Sequence, residues 1–175
     1  MASPPRAKKS RGGLPGPQWT AAPRVGGACR GLLASKVTVD RAAGLDPKDV
    51  FPTKMLLSAA RARGMPLGLL VDATGATARD AYWTEETEDV LRKENVRVVT
   101  VRGPPQGAVG RDAVPDAASV AMLVKVIERF QADAEKERKE GEPLRHVAVL
   151  CDDALFNVAF FLVAAFVIES PGTAA

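Results

Sequence analysis

The residue with the clearest potential for chemistry is Cys151, which directly follows a largely apolar stretch over 144–150. An apolar run, Val158 to Ile168, comes shortly after it and predicts a helix. A cysteine between a strand and a helix lies where free backbone amides and the helix dipole attract an anion. Its thiolate can attack phosphorus if a cationic group holds the phosphate oxygens.

Each candidate for chemistry also has a structural interpretation. Cys151 can be a small apolar filler at the end of a buried strand. Asp112 is a candidate general acid on a loop, whereas Asp116 is better explained as the N-cap of the next helix. His146 lies inside a predicted strand and is better explained as a packed or edge residue than as a base.

Strands that alternate with helices must position these residues. The first predicted elements are a helix capped by Thr53 and ended by Gly64, and a strand at Gly68 to Asp72. A helix from about Glu85 to Asn95 and a strand at Val96 to Val101 follow. The last elements are a long helix from Ala117, a strand at Leu144 to Leu150 and the helix after the cysteine. This alternation predicts an α/β fold with a largely parallel central sheet, flanked by helices on both faces, and with Cys151 at the carboxyl end of a central strand.

The chain divides into a tail at 1–30, one domain at 31–169 and a short tail at 170–175. The first segment is rich in proline and glycine, and its cations (Arg6, Lys8, Lys9, Arg11, Arg24 and Arg30) face no acidic residue there. Such an arm can attract RNA phosphates, although many basic arms are only solvated tails.

Composition excludes several classes of protein. At 175 residues, with 46% apolar and 26% charged residues, the chain is typical of one globular domain rather than a collagen or a disordered chain. Two cysteines, Cys29 and Cys151, build neither a disulfide framework nor a zinc motif, so no metal and no cofactor are expected. The run at 158–168 is too short to span a membrane. The start of the chain argues against a secretory signal and leaves an organellar transit peptide open.

Several short motifs resemble, in order, the RNA 5'-triphosphatase domain of mRNA-capping enzymes, a branch of the cysteine-dependent phosphatase superfamily. They are Pro17-Gln18-Trp19, Ser35-Lys36-Val37, Gly68-Leu69-Leu70-Val71-Asp72 with Ala73 to Thr77 after it, the region of Tyr82, Lys93-Glu94-Asn95-Val96, and Gly110 to Asp116, the last being similar to the plant and algal form. The similarity covers about residues 17 to 169. It implies that Cys151 descends from a nucleophile that removes the γ-phosphate of 5'-triphosphate RNA without a metal.

The loop after Cys151 departs from the family pattern, which reads His-Cys-x-x-Gly-x-Asn-Arg-Thr-Gly. Here the corresponding residues are Leu150, Cys151, Asp152, Asp153, Ala154, Leu155, Phe156, Asn157, Val158 and Ala159. Asparagine cannot replace the charged, bidentate hydrogen bonding of arginine. Alanine in place of glycine adds a Cβ where the backbone must approach the phosphate. Asp152 and Asp153 disfavour the thiolate and repel a triphosphate. We therefore expect a catalytically impaired phosphatase-like domain, with an active phosphohydrolase as the alternative.

The resemblance also sets expectations for partners and location. The sequence has no Lys-x-Asp-Gly motif for guanylate transfer, and relative to the family the domain lacks further C-terminal helices. The helix predicted at 156–168 is apolar on nearly all sides, which predicts self-association or a protein partner on that helix. An RNA 5' end is the other expected partner, and the resemblance favours a nuclear over a cytoplasmic location.

Overall fold

A five-stranded sheet organises the part of the chain that the computed structural model describes, residues 24–40, 46, 50–74, 82–101 and 117–151. The strands are β1 (Val25–Cys29), β2 (Leu32–Lys36), β3 (Leu67–Asp72), β4 (Arg97–Thr100) and β5 (His146–Cys151). The helices in these ranges are α1 (Thr53–Ala62), α2 (Glu85–Lys93) and α3 (Ala117–Glu137). The predicted α/β class is confirmed.

The strand order is β1-β2-β5-β3-β4, so β5 is the central strand. β2, β5, β3 and β4 pair in parallel, whereas β1 pairs with β2 antiparallel. The sheet is therefore mixed, and the prediction of a largely parallel sheet needs this correction. The reason is local: Arg30 and Gly31 form a two-residue turn with φ values of 48° and 77°, and such a turn can join only antiparallel neighbours.

β1 also corrects the predicted tail at 1–30. Residues 25–29 form an edge strand whose register shifts between Val25 and Ala28. Gly26 and Gly27 lie at this irregularity, and glycine is common where a strand bulges. Glycines that indicated irregular structure are thus compatible with a short edge strand.

Helices cover both faces of the sheet, as predicted. Leu69, Val71, Val147 and Val149 pack on the same side as α3, in a cluster with Leu123 and Ile127. The alternate residues form the other layer with α1 and α2, and these include Leu33, Leu70, Ala148, Leu150, Leu56, Leu57 and Leu91. β3 is buried along its whole length, since both of its faces are covered.

The helix boundaries follow local signals, with one correction. α1 is followed by Gly64 at a φ of 72°, as expected for a helix stop. Thr53, however, is the first residue of α1 rather than its cap, which is Pro52. α2 begins with a capping box between Thr84 and Thr87 and has the predicted acidic first turn. α3 begins at Ala117, as predicted.

The last predicted strand is shifted by a short distance. Leu144 and Arg145 are exposed and precede β5, which instead includes Cys151. Backbone pairing with β3 begins at His146, and the guanidinium of the preceding Arg145 donates to the main-chain oxygens of Glu94 and Asn95. The predicted helix at 156–168 lies outside the described residues.

Candidate functional site

The carboxyl ends of four parallel strands meet at one edge of the sheet. In the strand register, Cys151 stands beside Lys36 at the end of β2, and Leu150 stands beside Asp72 at the end of β3. Asp72 in turn stands beside Thr100 at the end of β4. The predicted position of Cys151, at the carboxyl end of a central strand, is confirmed. Ligands of open α/β sheets bind at this edge, so the edge is the candidate site.

Cys151 itself is fully buried. Its side chain belongs to the apolar cluster under α3, together with Val149, Leu123 and Val101, and no part of the residue is exposed to solvent. Its main-chain oxygen accepts a hydrogen bond from the amide of Val37 at 2.6 Å, which extends the pairing of β2 with β5. The thiol is therefore held as part of the core, as in the structural interpretation of this residue.

Lys36 is the described cation closest to Cys151 in the strand register. Only 3% of Lys36 is exposed, and its ammonium nitrogen lies 6.0 Å from the centre of the Phe51 ring. A cation over an aromatic face is stabilised by the ring quadrupole, which helps to offset the cost of burial. The sequence analysis does not assign Lys36 to the site, although a lysine between the largely apolar segment 32–35 and Val37 indicates an unusual environment.

Asp72 is buried, and its carboxylate accepts hydrogen bonds from the chain just after β3. Its Oδ1 accepts hydrogen bonds from the amide of Thr74 at 3.1 Å and from the Thr74 hydroxyl at 2.6 Å. This is an Asx turn, in which the side chain replaces a backbone acceptor. The conspicuous aspartate of the Gly68 to Asp72 motif thus has a structural role at the edge of the site.

A buried polar network lies next to this edge and joins three segments of the chain. Thr38 and Thr53 hydroxyls are 2.7 Å apart, and the indole N–H of Trp83 donates to Thr38 at 2.9 Å. Asp40 accepts hydrogen bonds from the amide of Thr53 at 3.1 Å and from its hydroxyl at 2.8 Å. Asp40 therefore satisfies the first backbone amide of α1, that of Thr53, from outside the helix.

His146 lies at the opposite end of β5 from Cys151. Five residues of extended strand separate the two by about 17 Å, so His146 cannot act as a base on this thiol. The residue is half-buried, and its Nδ1 is buried without a hydrogen-bond partner among the described residues. Burial lowers the pKa of His146 below its usual 6.5, while a contact with the Gly31 backbone acts in the opposite direction. The interpretation as a packed residue at a strand end is confirmed.

The remaining predicted site residues lie outside the described residues. They are Asp112, Asp116 and the loop residues Asp152, Asp153, Ala154, Leu155, Phe156 and Asn157. Within the described ranges, no group of histidine, cysteine and acidic residues could hold a metal ion. None of the helices described there has the length and apolar character needed to cross a membrane.

The described geometry supplies a buried strand-end cysteine, a neighbouring buried lysine and a hydrogen-bonded aspartate at one edge of the sheet. No model of a known protein family matches the sequence, and no curated protein matches it significantly. The residues at this edge are therefore the basis for any function assigned to it.

Proposed function

We propose that this chain is a phosphatase-like domain, similar to the RNA 5'-triphosphatases of capping enzymes, in which hydrolysis is impaired or lost. The observation that carries the proposal is the environment of Cys151, which stands where such enzymes hold their nucleophile and yet has no accessible surface. The sequence motifs that resemble the family support the same origin for this position.

Hydrolysis through a cysteinyl-phosphate needs a thiolate that the phosphorus can reach. Cys151 packs with apolar side chains of β5, α3 and the residue after β4 and has no exposed surface, so its sulfur is not accessible to a phosphorus atom. Asp152 and Asp153 follow it in the sequence, and their negative charges repel an incoming triphosphate. Both features oppose attack on the phosphate.

The reaction also needs a fixed positive group on the phosphate oxygens. The sequence has Asn157 where the family has arginine, and loss of one preorganised charge-stabilising group costs about 10² to 10³ in rate. Lys36 does not replace that arginine, because its ammonium lies over Phe51 and cannot offer two parallel donors. We therefore expect turnover to be close to the uncatalysed rate.

Phosphate release from RNA with a 5'-triphosphate tests the proposal. We expect the natural chain and Cys151→Ser to release phosphate at the same rate, because the thiol takes no part. Asn157→Arg alone should restore little, since Ala154, Ala159 and the two aspartates remain. The alternative, an active phosphohydrolase, predicts rapid release by the natural chain that Cys151→Ser abolishes, and that result would refute the proposal.

A further inference from the structure

A groove lies at the amino-terminal edge of the sheet, at the opposite end of β5 from Cys151. Its volume is about 560 Å³, which is within the range of sites for small ligands. The side chains that matter for recognition are Arg97, Arg138, Lys139 and Arg145, with Glu137 and Glu142 at the same groove.

The groove has an excess of positive charge. Four cationic and two acidic side chains line it, which leaves two positive charges in excess. Arg138 is neutralised in part by Glu135, which lies 2.8 Å away. Within the described ranges, no carboxylate lies within ion-pair distance of Arg97, Lys139 or Arg145. A groove with such unneutralised cations attracts an anion.

Arg145 is held in place from one side. Its Nη1 donates to the main-chain oxygens of Glu94 at 3.0 Å and Asn95 at 3.1 Å, at the end of α2. Among the described residues, this guanidinium donates hydrogen bonds through Nη1, whereas its Nε and Nη2 donors make none there. The guanidinium is thus held in place before a ligand binds, and its other donors point to a role in binding one.

Arg97 is positioned by a different contact. Its guanidinium carbon lies 5.6 Å from the centre of the Phe130 ring, and Phe130 is itself 6% exposed. Phe130 in turn packs against Gly68, where an added Cβ would come within 2.7 Å of the ring. Close packing against Gly68 therefore holds the Phe130 ring, over which the Arg97 guanidinium lies.

We propose that this groove binds a small phosphate-bearing anion of about the size of a nucleotide. Arg145, held by main-chain hydrogen bonds, and Arg97, which lies over the Phe130 ring, can each offer two parallel donors to phosphate oxygens. Arg145 loses little conformational entropy on binding, because it is already held in place. Arg138 and Lys139 alone would not support this proposal, because cations after α3 also stabilise the negative end of that helix. Arg97 and Arg145 belong to other segments, and the helix end does not explain them.

Isothermal titration calorimetry on the full chain tests the proposal, with pyrophosphate and a nucleoside triphosphate as probes. We expect both to bind the natural chain and to bind Arg97→Gln at least about tenfold more weakly. Arg145→Gln should show the same loss. Arg129→Gln is the matched control, because Arg129 is an exposed arginine of α3 outside the groove, and it should bind as the natural chain does.

Two further measurements make the result specific. Thermal unfolding of Arg97→Gln should match that of the control, so that weaker binding cannot come from unfolding. Cys151→Ser should bind both probes normally, which separates this groove from the site at the other edge. Absence of pyrophosphate binding, an equal loss in Arg129→Gln, or binding of a single-stranded oligonucleotide alone would overturn the proposal.

Discussion

At the scale of single residues, the two cysteines differ in the property that matters most for reactivity. Cys29 is exposed on the edge strand β1, whereas Cys151 is buried at the end of the central strand β5. Reactive cysteines need access and a stabilised thiolate, and Cys151 has no exposed surface. Burial therefore argues for the same conclusion as the missing arginine.

This difference predicts the order of thiol modification. In the folded protein, a chromogenic disulfide reagent should react quickly with one thiol, Cys29, and should reach Cys151 only after denaturant is added. Cys29→Ser should remove the fast phase, and Cys151→Ser should remove the slow one. Fast modification of Cys151 in folded Cys29→Ser would show an accessible thiolate and would contradict the impaired-enzyme proposal.

His146 predicts a specific dependence of stability on pH. Burial lowers the pKa of His146 in the folded protein below 6.5, its value in an unfolded chain. Below pH 6.5 the unfolded chain therefore takes up a proton that the folded chain does not, and the free energy of unfolding falls with the pH. Above that pH both states are neutral at this residue and it contributes no pH dependence.

Since His146 is the single histidine of the chain, an NMR titration of its ring protons measures this pKa without ambiguity. Urea unfolding between pH 5 and 7 should show the loss of stability in the natural chain and less of it in His146→Gln. A titration midpoint at or above 6.5 would mean that burial does not dominate at this position.

At the scale of secondary structure elements, apolar periodicity and turn residues predicted most of the sheet and helices. β3, α3 and β5 are each strongly apolar on the faces that they bury, so their existence could be predicted without knowledge of their partners. α2 was predictable instead from the acidic residues of its first turn. The β1–β2 hairpin could not be predicted. Its turn has arginine at a position of positive φ, where asparagine or aspartate is the usual signal, and its first strand contains two glycines.

The candidate site could be predicted only in part, for a related reason. The end of β5 follows from local sequence, so Cys151 was correctly positioned. The neighbours of Cys151 depend on strand order, which brings Lys36 from β2 and Asp72 from β3 to the same edge. The contact of Arg145 with the end of α2, about 50 residues earlier in the chain, also depends on that order. Tertiary pairing of this kind leaves no trace in the spacing of residues.

Gly68 tests the packing between β3 and α3. An added Cβ would lie 2.7 Å from Cζ of Phe130 and 2.9 Å from Cβ of Arg145. Gly68→Ala should therefore lower the free energy of unfolding by about 1–3 kcal/mol, as expected for overpacking. Gly141→Asn is the control, because Gly141 has open space around it and asparagine tolerates its φ of 83°.

A double-mutant cycle identifies the cause of that loss. Phe130→Leu removes the ring atoms closest to Gly68, so Gly68→Ala should cost less stability in that background. An equal loss of stability in both backgrounds would show that the Phe130 ring does not limit the space at Gly68. Urea unfolding of the natural chain, the two single variants and the double variant measures the four free energies of unfolding.

At the scale of the whole molecule, the two edges of the sheet carry different chemistry. The carboxyl edge holds a buried cysteine, a buried lysine and a structural aspartate, whereas the amino edge holds exposed arginines around a groove. If the first edge has lost catalysis, the second does not depend on that loss, because no residue lines both. Anion binding can therefore persist in a domain that does not hydrolyse phosphate.

The last prediction concerns association of the whole chain. Residues 158–168 contain no charged or polar side chain, and a helix over this segment would be apolar on all sides. One side can pack on a sheet, and the other would leave an apolar surface on the order of several hundred Å², which is typical of an interaction site. We therefore expect the purified chain to self-associate unless a protein partner covers this segment.

Size-exclusion chromatography with light scattering, over a series of protein concentrations, measures this association. Phe160→Glu and Leu162→Glu form a matched pair, because residues two apart on a helix point about 200° apart. The variant with its charge on the outer side should give a soluble monomer, whereas the variant with its charge on the packed side should lower stability. A natural chain that stays monomeric at every concentration and binds no hydrophobic dye would show that the segment is covered from within.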